Sequence, residues 1–377
     1  MRIAFFHELG IGGARRSVNE YAYELKKKHK IDLFFVDEDY FGKEDKSYNR
    51  TYFFKFKPKF WYGGNWKAKI YKDTIELFNL YKLHKKIAFE INKGKYDAVI
   101  VNPSKYTQSP FILRFIKVKK IYYCQETLRF AYEPLLTINR RIGLFKYFYE
   151  TFNRFVRKNI DLANIKKADS ILTNSKNTKK NINKNYHLFS EVCYLGVDTN
   201  FFKPGNLEKD IDVLFIGSDE FMDGFNLVKD ALAKMKHKVN LKTTIDKKRK
   251  DINDEKLLEL YRRAKIVVCT ARDEPFGMIP LEAMAVGTLV IAVNEGGYKE
   301  SIIDKSNGFL VERNSLKLAQ KIDWVLNNSE EAKKITKNAR QIVISEWNWE
   351  KRTKELENML TKILNNTKLH NPTHEIF

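Results

Sequence analysis

Two acids eight positions apart, Glu274 and Glu282, stand among glycine turns in Glu274-Pro-Phe-Gly-Met-Ile-Pro-Leu-Glu282-Ala-Met-Ala-Val-Gly287, and Asn294-Glu295-Gly296-Gly297 follows. A single helix would put both carboxylates on one face. Pro275, Gly277 and Pro280 argue against one helix. The pattern instead predicts Glu274 on a loop, Pro280 in the first turn of a helix, and Glu282 just inside the helix N-terminus. Bare amides and the positive end of the helix dipole then face the loop. Such a corner can hold a phosphate on backbone N–H groups while two acceptor-only carboxylates take hydrogen bonds from ribose or hexose hydroxyls. That chemistry suits a nucleotide sugar. The plainer alternative makes Glu282 a favourable first-turn acid and Glu274 a solvated loop residue.

The elements that must position this corner alternate. Short apolar runs at Ile3 to Phe6, Ile31 to Val36, Ala98 to Val101, Lys120 to Cys124, Ser170 to Thr173 and Glu191 to Leu195 are separated by longer helical stretches. After Phe202-Lys-Pro204-Gly205 the pattern restarts with Val213 to Gly217, Ile266 to Thr270 and Leu289 to Ala292. Strands alternating with helices predict parallel sheets, here two α/β units. The expected division is 1–195, a linker at 196–210, a second unit at 211–347, a last helix at 348–365 and a loose tail at 366–377. The first unit opens as strand, Gly10-Ile-Gly12-Gly13-Ala14-Arg15-Arg16, then an amphipathic helix from about Ser17. Strand, glycine turn and helix together form an arrangement that receives phosphates. A dinucleotide fingerprint wants Gly where Arg15 stands, so the match to a nicotinamide site is poor. Asp37, placed as a ribose acid would be, keeps a dehydrogenase reading open. There is no Gly-Lys-Ser/Thr phosphate loop. Asp37-Glu38-Asp39 could hold a divalent metal or simply be an acidic strand-end loop.

Composition narrows the classes. The 377 residues suit two domains of ordinary size, with no long apolar run for a membrane span and no signal-like start, which predicts a cytoplasmic protein. Cys124, Cys193 and Cys269 fit neither a disulfide framework nor a closed zinc site and are expected to be buried thiols. Of the net charge of +22, residues 1–200 carry most, with 39 Lys and Arg against 20 Asp and Glu. Lys55 to Lys72 mixes Lys with aromatic residues, and Arg141 to Arg157 reads as an amphipathic helix for an interface or as a core-packing helix with a basic solvated face. An anionic membrane surface is therefore a candidate partner, with the protein peripheral on the inner membrane face. No nucleic-acid motif is present, and nucleic acid is not expected as a partner.

With these pieces assembled, the chain resembles a retaining glycosyltransferase of family 4. The early turn appears as Gly12-Gly13-Ala14-Arg15-Arg16. A domain-closing run appears as Ala168-Asp-Ser-Ile-Leu-Thr-Asn-Ser175 with Leu195-Gly-Val-Asp198 to Pro204, and Leu257 to Ala264 precedes the acid-x7-acid block. Trp347-Asn-Trp349 leads into a final helix that in the family crosses back to the first domain. The resemblance covers residues 1 to about 365. It implies an α/β fold of GT-B architecture, two Rossmann-like domains facing across a cleft. It also implies a hexosyltransferase that moves a hexose from a nucleotide-diphosphate sugar onto a glycan or lipid-linked acceptor in cell-surface polysaccharide or glycoconjugate synthesis.

No cofactor and no obligatory metal are implied. By the same resemblance Glu282 would bind the donor ribose and Glu274 the transferred sugar or its leaving-group side, while backbone groups of Phe276, Gly277 and Met278 contact sugar and phosphates. Gly12 and Gly13, with Arg15 beside them, would approach the diphosphate. Two departures stand out. Many relatives carry a basic pair after the first strand of the second domain, where Gly217-Ser218-Asp219-Glu220-Phe-Met-Asp223-Gly224 has Ser218 and Asp223 at the matching positions, with Gly217 and Ser218 as the donor-binding candidates of this turn. Arg15, Arg16, Arg272 or the Lys247-Lys248-Arg249 cluster could supply the charge instead. Many relatives also place His where this chain has Gln125, beside Glu126, so Gln125 and Glu126 become the acceptor-side catalytic candidates or, for Gln125, a strand-end polar residue. These departures support a second reading, a catalytically silent relative that binds a glycan or a partner protein.

Overall fold

The structure is a computed structural model describing residues 1–10, 12–38, 46–59, 66–133, 143–245 and 253–365. The expectations for Asp39, for Arg141, for part of the 55–72 stretch, for Lys247-Lys248-Arg249 and for the 366–377 tail fall outside the described residues.

The chain forms two compact units. The first takes in Met1–Asn174, Thr178–Cys193 and the C-terminal stretch from Thr353; the second takes in Ser175–Asn177 and Tyr194–Arg352. The first holds a seven-stranded sheet of β1 (Arg2–Glu8), β2 (Lys30–Asp37), β3 (Arg50–Lys55), β4 (Ala98–Ser104), β5 (Lys120–Cys124), β6 (Ser170–Thr173) and β7 (Glu191–Val192), in the order β3-β2-β1-β4-β5-β6-β7. The second holds β8 (Ile211–Phe215), β9 (Leu241–Thr243), β10 (Ala264–Cys269), β11 (Leu289–Val293) and β12 (Phe309–Val311), in the order β12-β11-β10-β8-β9. Pairing is parallel in both sheets. Their central strands are buried along nearly their whole length, because helices cover both faces of a parallel sheet.

Nine of the strands lie on the apolar runs of the sequence, and β3, β9 and β12 do not. Each of these three is an outermost strand of its sheet. The first helix begins at Gly13 rather than near Ser17, so Arg15 and Arg16 belong to its first turn and not to a loop. Residues 196–210 are packed into the second unit. Phe202 is buried against Tyr261, and a Cβ at Gly196 would stand 2.9 Å from the Trp349 backbone. All three cysteines are buried and unbridged.

A strand order that reverses leaves a crevice at the carboxyl ends of the strands where it turns. In the first sheet that point lies between β1 and β4, and in the second between β8 and β10. Gly10 to Arg16 follow β1, Gly217 and Ser218 follow β8, and Thr270 to Gly277 follow β10.

Candidate active site

In the second unit, β10 leads through Thr270–Gly277 into the helix Met278–Val286. Asp273 turns the chain at φ 43, held by Asn177, whose Nδ2 donates to its carboxylate at 2.9 Å. Glu274 follows, half-buried. The Gly296-Gly297 turn is pressed onto this loop. A Cβ at Gly296 would stand 2.5 Å from the Glu274 carbonyl oxygen, and one at Gly297 would stand 2.5 Å from that of Pro275. The Gly297 N–H donates to the Glu274 carbonyl at 2.7 Å. Any larger residue would push the Glu274 loop outward. Arg313 closes the other side, donating to both Glu295 carboxylate oxygens and to the carbonyls of Thr270 (2.9 Å) and Ala271 (3.1 Å). The sequence reading missed Arg313 because it follows β12, a strand that was not foreseen.

Phe276 is a core residue, its ring lying 5.6 Å from Trp347 and 6.0 Å from Tyr194, so only its backbone is left for a ligand. Gly277 adopts φ 97 beneath the Tyr298 ring, 2.8 Å from where a Cβ would be. It serves as N-cap with no side-chain capping bond, so the first-turn amides of Met278 and Ile279 have no intrahelical partner. Burial drives the Tyr298 phenol well above its ordinary value, and the nearby Glu274 carboxylate pushes it further in the same direction.

Glu282 is the fifth residue of its helix and not a first-turn acid. It is 1% exposed, and its Oε2 accepts a 2.8 Å hydrogen bond from the Tyr261 hydroxyl. The helix is buried from Pro280 to Val286, so the carboxylate lies among apolar neighbours. Glu282 is therefore not the first-turn acid of the plainer alternative, and Glu274 is a loop residue only partly open to solvent.

At the end of β8, Gly217 donates its N–H to Thr244 Oγ1 at 3.0 Å, and Thr244 donates back to the Gly217 carbonyl at 3.1 Å. Asp223 Oδ2 accepts both the N–H and the hydroxyl of Ser218, each at 2.6 Å. Where relatives are expected to carry two cations, this chain closes the loop on itself. Arg272 brings a cation nearby. Its N–H donates to the Met222 carbonyl at 2.7 Å, and its guanidinium lies 4.3 Å from the Phe221 ring centroid. Burial and then the charge of Arg313 lower its pKa.

In the first unit Gly12 caps the opening helix at φ 154, and a Cβ at Gly12 or Gly13 would meet nothing within 4 Å. Arg15 is turned inward. It is buried, with Nη1 2.7 Å from Asp37 Oδ2 and 3.4 Å from the Leu9 carbonyl. Lys105 reaches the other Asp37 oxygen at 3.1 Å. Burial pushes Asp37 up, but the Glu38 N–H, Lys105 and Arg15 together hold it below its ordinary value. Asp37 is thus fully engaged by its own chain, which removes the ribose-acid reading. Gln125, buried after β5, donates to the Ala14 carbonyl at 3.4 Å, while its own carbonyl accepts from Thr178. Glu126 beside it is raised by burial, with Arg129 opposing and Glu133 adding to the shift. Arg129 pairs with Glu133 at 2.5 Å.

Among the described residues no three His, Cys, Asp or Glu side chains gather as a metal ligand set, and no helix is long and apolar enough to cross a membrane. The sequence profile of the family described as "Glycosyl transferases group 1" matches residues 249–342. An uncharacterised glycosyltransferase of Methanocaldococcus jannaschii is 30% identical over 205 residues, which are 49% of this chain and 57% of the relative. The matched stretches span about half or less of the first curated relatives. Among solved structures, sucrose-phosphate synthase from Thermosynechococcus elongatus has a TM-score of 0.71 at 16% identity, covering 97% of this chain and all of that one. Anabaena HepE in complex with UDP-glucose has a TM-score of 0.64 at 18% identity, covering 96% of this chain and all of that one. At these identities the likeness is one of fold, the GT-B-like α/β architecture.

Proposed function

Because the chain belongs to the group 1 glycosyl transferases, we propose that it moves a hexose from a nucleotide-diphosphate sugar onto a glycan or lipid-linked acceptor, with retention at the anomeric carbon. The observation that carries this reading is the Glu274 loop, pinned by Gly296-Gly297 beside the open N-terminal turn of the helix Met278–Val286. In this proposal the sugar–phosphate bond breaks with oxocarbenium character while charge grows on the departing diphosphate. The amides of Gly277 and Met278 and the helix dipole stabilise that charge, as fixed dipoles do without reorganising. Glu274 accepts hydroxyls of the transferred sugar, and Glu282, oriented by Tyr261, accepts from the ribose. Gly217 and Ser218 border the phosphates. Gly12 and Gly13 leave room for the diphosphate, Arg15 positions their turn through Asp37, and Gln125 and Glu126 serve the acceptor. No metal is required in this reading, so a chelator leaves the rate unchanged.

The test is release of nucleoside diphosphate from a panel of donors, with Glu274→Ala as control. Failure of every donor to bind or turn over would refute the enzyme reading. Donor binding with no transfer across many acceptors would favour the silent glycan-binding or partner-binding relative, for which the self-closed Ser218–Asp223 loop is the supporting observation.

We also propose that the first unit docks on an anionic membrane. On the helix Leu144–Ile165, Leu144, Phe145, Phe148, Phe152 and Phe155 are each between 63% and 78% exposed. They share an arc of about 100°. The opposite face is held inward, Tyr149 and Arg157 each bonding Asp73 at 2.8 Å. Self-association through this face would set one basic half against another, whereas acidic headgroups attract it. Phe148→Ser/Phe152→Ser should abolish co-flotation with phosphatidylglycerol vesicles and leave transfer to a soluble acceptor intact. Unchanged flotation would end the idea.

A further inference from the structure

A second, chemically different site lies in the second unit, at the opposite end of the helix Met278–Val286 from its N-terminal turn. A cavity of about 410 Å³ opens beside Val286 and Gly287. Nine residues of helix separate it from the Glu274 corner, a span of roughly 13 Å. Five cations line it, Lys209, Arg262, Lys333, Lys337 and Arg340, and among the described residues no Asp or Glu does.

Three of the five, Lys209, Arg262 and Arg340, are anchored on neutral oxygens. Lys209 Nζ donates to the Ala264 carbonyl at 2.7 Å and to Thr288 Oγ1 at 3.4 Å. Arg262 Nε donates to the Lys203 carbonyl at 3.0 Å, and Gly205 makes room for it, since a Cβ there would stand 2.7 Å from that nitrogen. Arg340 donates to the carbonyls of Phe202 and Ala285. Of the five, only Lys333 has a carboxylate partner among the described residues, the exposed Glu330 at 2.6 Å. Carbonyls fix where these charges sit without cancelling them.

Lys333 and Lys337 stand one turn apart on the helix Ser329–Glu346, a spacing at which like charges repel. Loss of water around its ammonium end, held on the Ala264 carbonyl, lowers Lys209 to about 8, and partial desolvation likewise depresses Arg340. A cluster of this kind gains from an anion that replaces the absent carboxylates.

We propose that this cavity binds a small phosphoanion of at least two negative charges, such as a sugar phosphate or pyrophosphate, independently of the Glu274 corner. The volume suits a small molecule and not a polymer strand. Charge-assisted contacts from guanidinium and ammonium groups match phosphate oxygens. Thr336 and Gln341 on the same wall offer neutral partners for sugar hydroxyls.

The experiment is calorimetric titration of the whole chain with inorganic pyrophosphate and, separately, glucose 6-phosphate, in about 150 mM salt to screen diffuse attraction. Two double variants with the same change in net charge are compared. Lys333→Glu/Lys337→Glu alters the cavity, and Lys85→Glu/Lys86→Glu alters exposed positions on the helix Leu77–Lys93 of the first unit. The wild type and the Lys85/Lys86 variant should each bind one equivalent, and the cavity variant should bind roughly tenfold more weakly or worse. Lys337→Ala, a smaller change at an exposed position, should move affinity in the same direction should the double variant lose its fold. Glu274→Ala should leave this binding unchanged, so absence of sugar transfer does not bear on it. Equal weakening in both double variants, undiminished binding by the cavity variants, or no saturable binding by the wild type would overturn the proposal.

Discussion

Two glycine pairs look alike in the sequence and differ in kind. Gly296 and Gly297 are glycine because the chain itself fills the space where their side chains would be, with the backbone of Glu274 to Phe276 lying 2.5–2.7 Å from each missing Cβ. Gly12 and Gly13 face open space, with nothing within 4 Å. The first pair is explained by packing. The second is not, since only Gly12 has a φ that disfavours a side chain, and Gly13 starts a helix, where glycine is a poor choice. A glycine that neither fold nor torsion requires points to something outside the chain that must come close. The same contrast runs through the charges. In the second unit the acids of the corner are held at defined positions by Tyr261 and Gly297, whereas in the first unit Arg15, Asp37 and Lys105 satisfy one another.

The largest effect should come from separating the position of the Glu274 loop from its chemistry. Glu274→Gln keeps the shape and removes the charge. Transfer should fall about 10²–10³-fold, the range seen when one preorganised polar contact is lost, with the melting temperature unchanged. Loss of stability in step with activity would instead make Glu274 a structural residue.

Next in size is an effect confined to the first unit, where an ionisable group is buried beside β4 and β5. Asp161 accepts from the Ser109 N–H at 2.9 Å and the Tyr186 hydroxyl at 2.6 Å, yet burial outweighs both and pushes it from 3.8 up to about 6. The folded state therefore binds this proton more tightly than the unfolded chain. Stability from this group is present below about pH 4 and is lost as pH rises through about 6. The loss is up to about 3 kcal/mol, counting about 1.4 kcal/mol per pKa unit. His7 acts in the opposite sense. Burial, then the charge of Arg15, lowers it to about 3, so its stability is lost as pH falls below its ordinary 6.5. Denaturant titrations of wild type and Asp161→Asn between pH 4 and 7 separate the two. The wild type should lose stability relative to the variant as pH rises, and parallel curves would remove Asp161 from the account.

Gly297→Ala should cost about 1–3 kcal/mol, as overpacking against a rigid backbone does. It should lower donor affinity through displacement of the Glu274 loop. Calorimetric melting and donor titration measure the two together. Full stability would mean that the Gly297 turn yields freely and does not fix the acid.

How much of this could be read from residues alone depended on burial. Central strands announce themselves because both faces are covered and the run is continuously apolar, as in Leu289–Val293. The missed strands β3, β9 and β12 are sheet edges. Arg50–Lys55 is largely half-exposed and begins and ends in a base, so its strand character comes from the neighbour it pairs with. Leu241–Thr243 and Phe309–Val311 are three residues each, too short for any period to show. At the corner, Pro275 and Gly277 correctly signalled a loop at Glu274. The depth of Glu282 was missed although its helix, Met-Ile-Pro-Leu-Glu-Ala-Met-Ala-Val, is apolar nearly all round, which itself predicts burial. Its partner Tyr261 lies on another helix, and no local pattern links the two. The inward turn of Arg15 was equally hidden, because Asp37 and Lys105 reach it only through the order of β1, β2 and β4.

The smallest expected effect has the opposite sign and tests the glycine comparison directly. Gly13→Ala places a methyl group in open space at a helical position with ordinary torsion, so the fold should be unharmed or gain less than about 1 kcal/mol from reduced freedom of the unfolded chain. If the diphosphate approaches this turn, the same methyl group should weaken donor binding several-fold while melting holds or rises. Gly297→Ala loses stability and function together, whereas Gly13→Ala should lose only function. A Gly13→Ala protein with wild-type donor affinity would mean that the open space at the end of β1 is empty during catalysis. The early glycine turn would then owe its composition to something other than the donor.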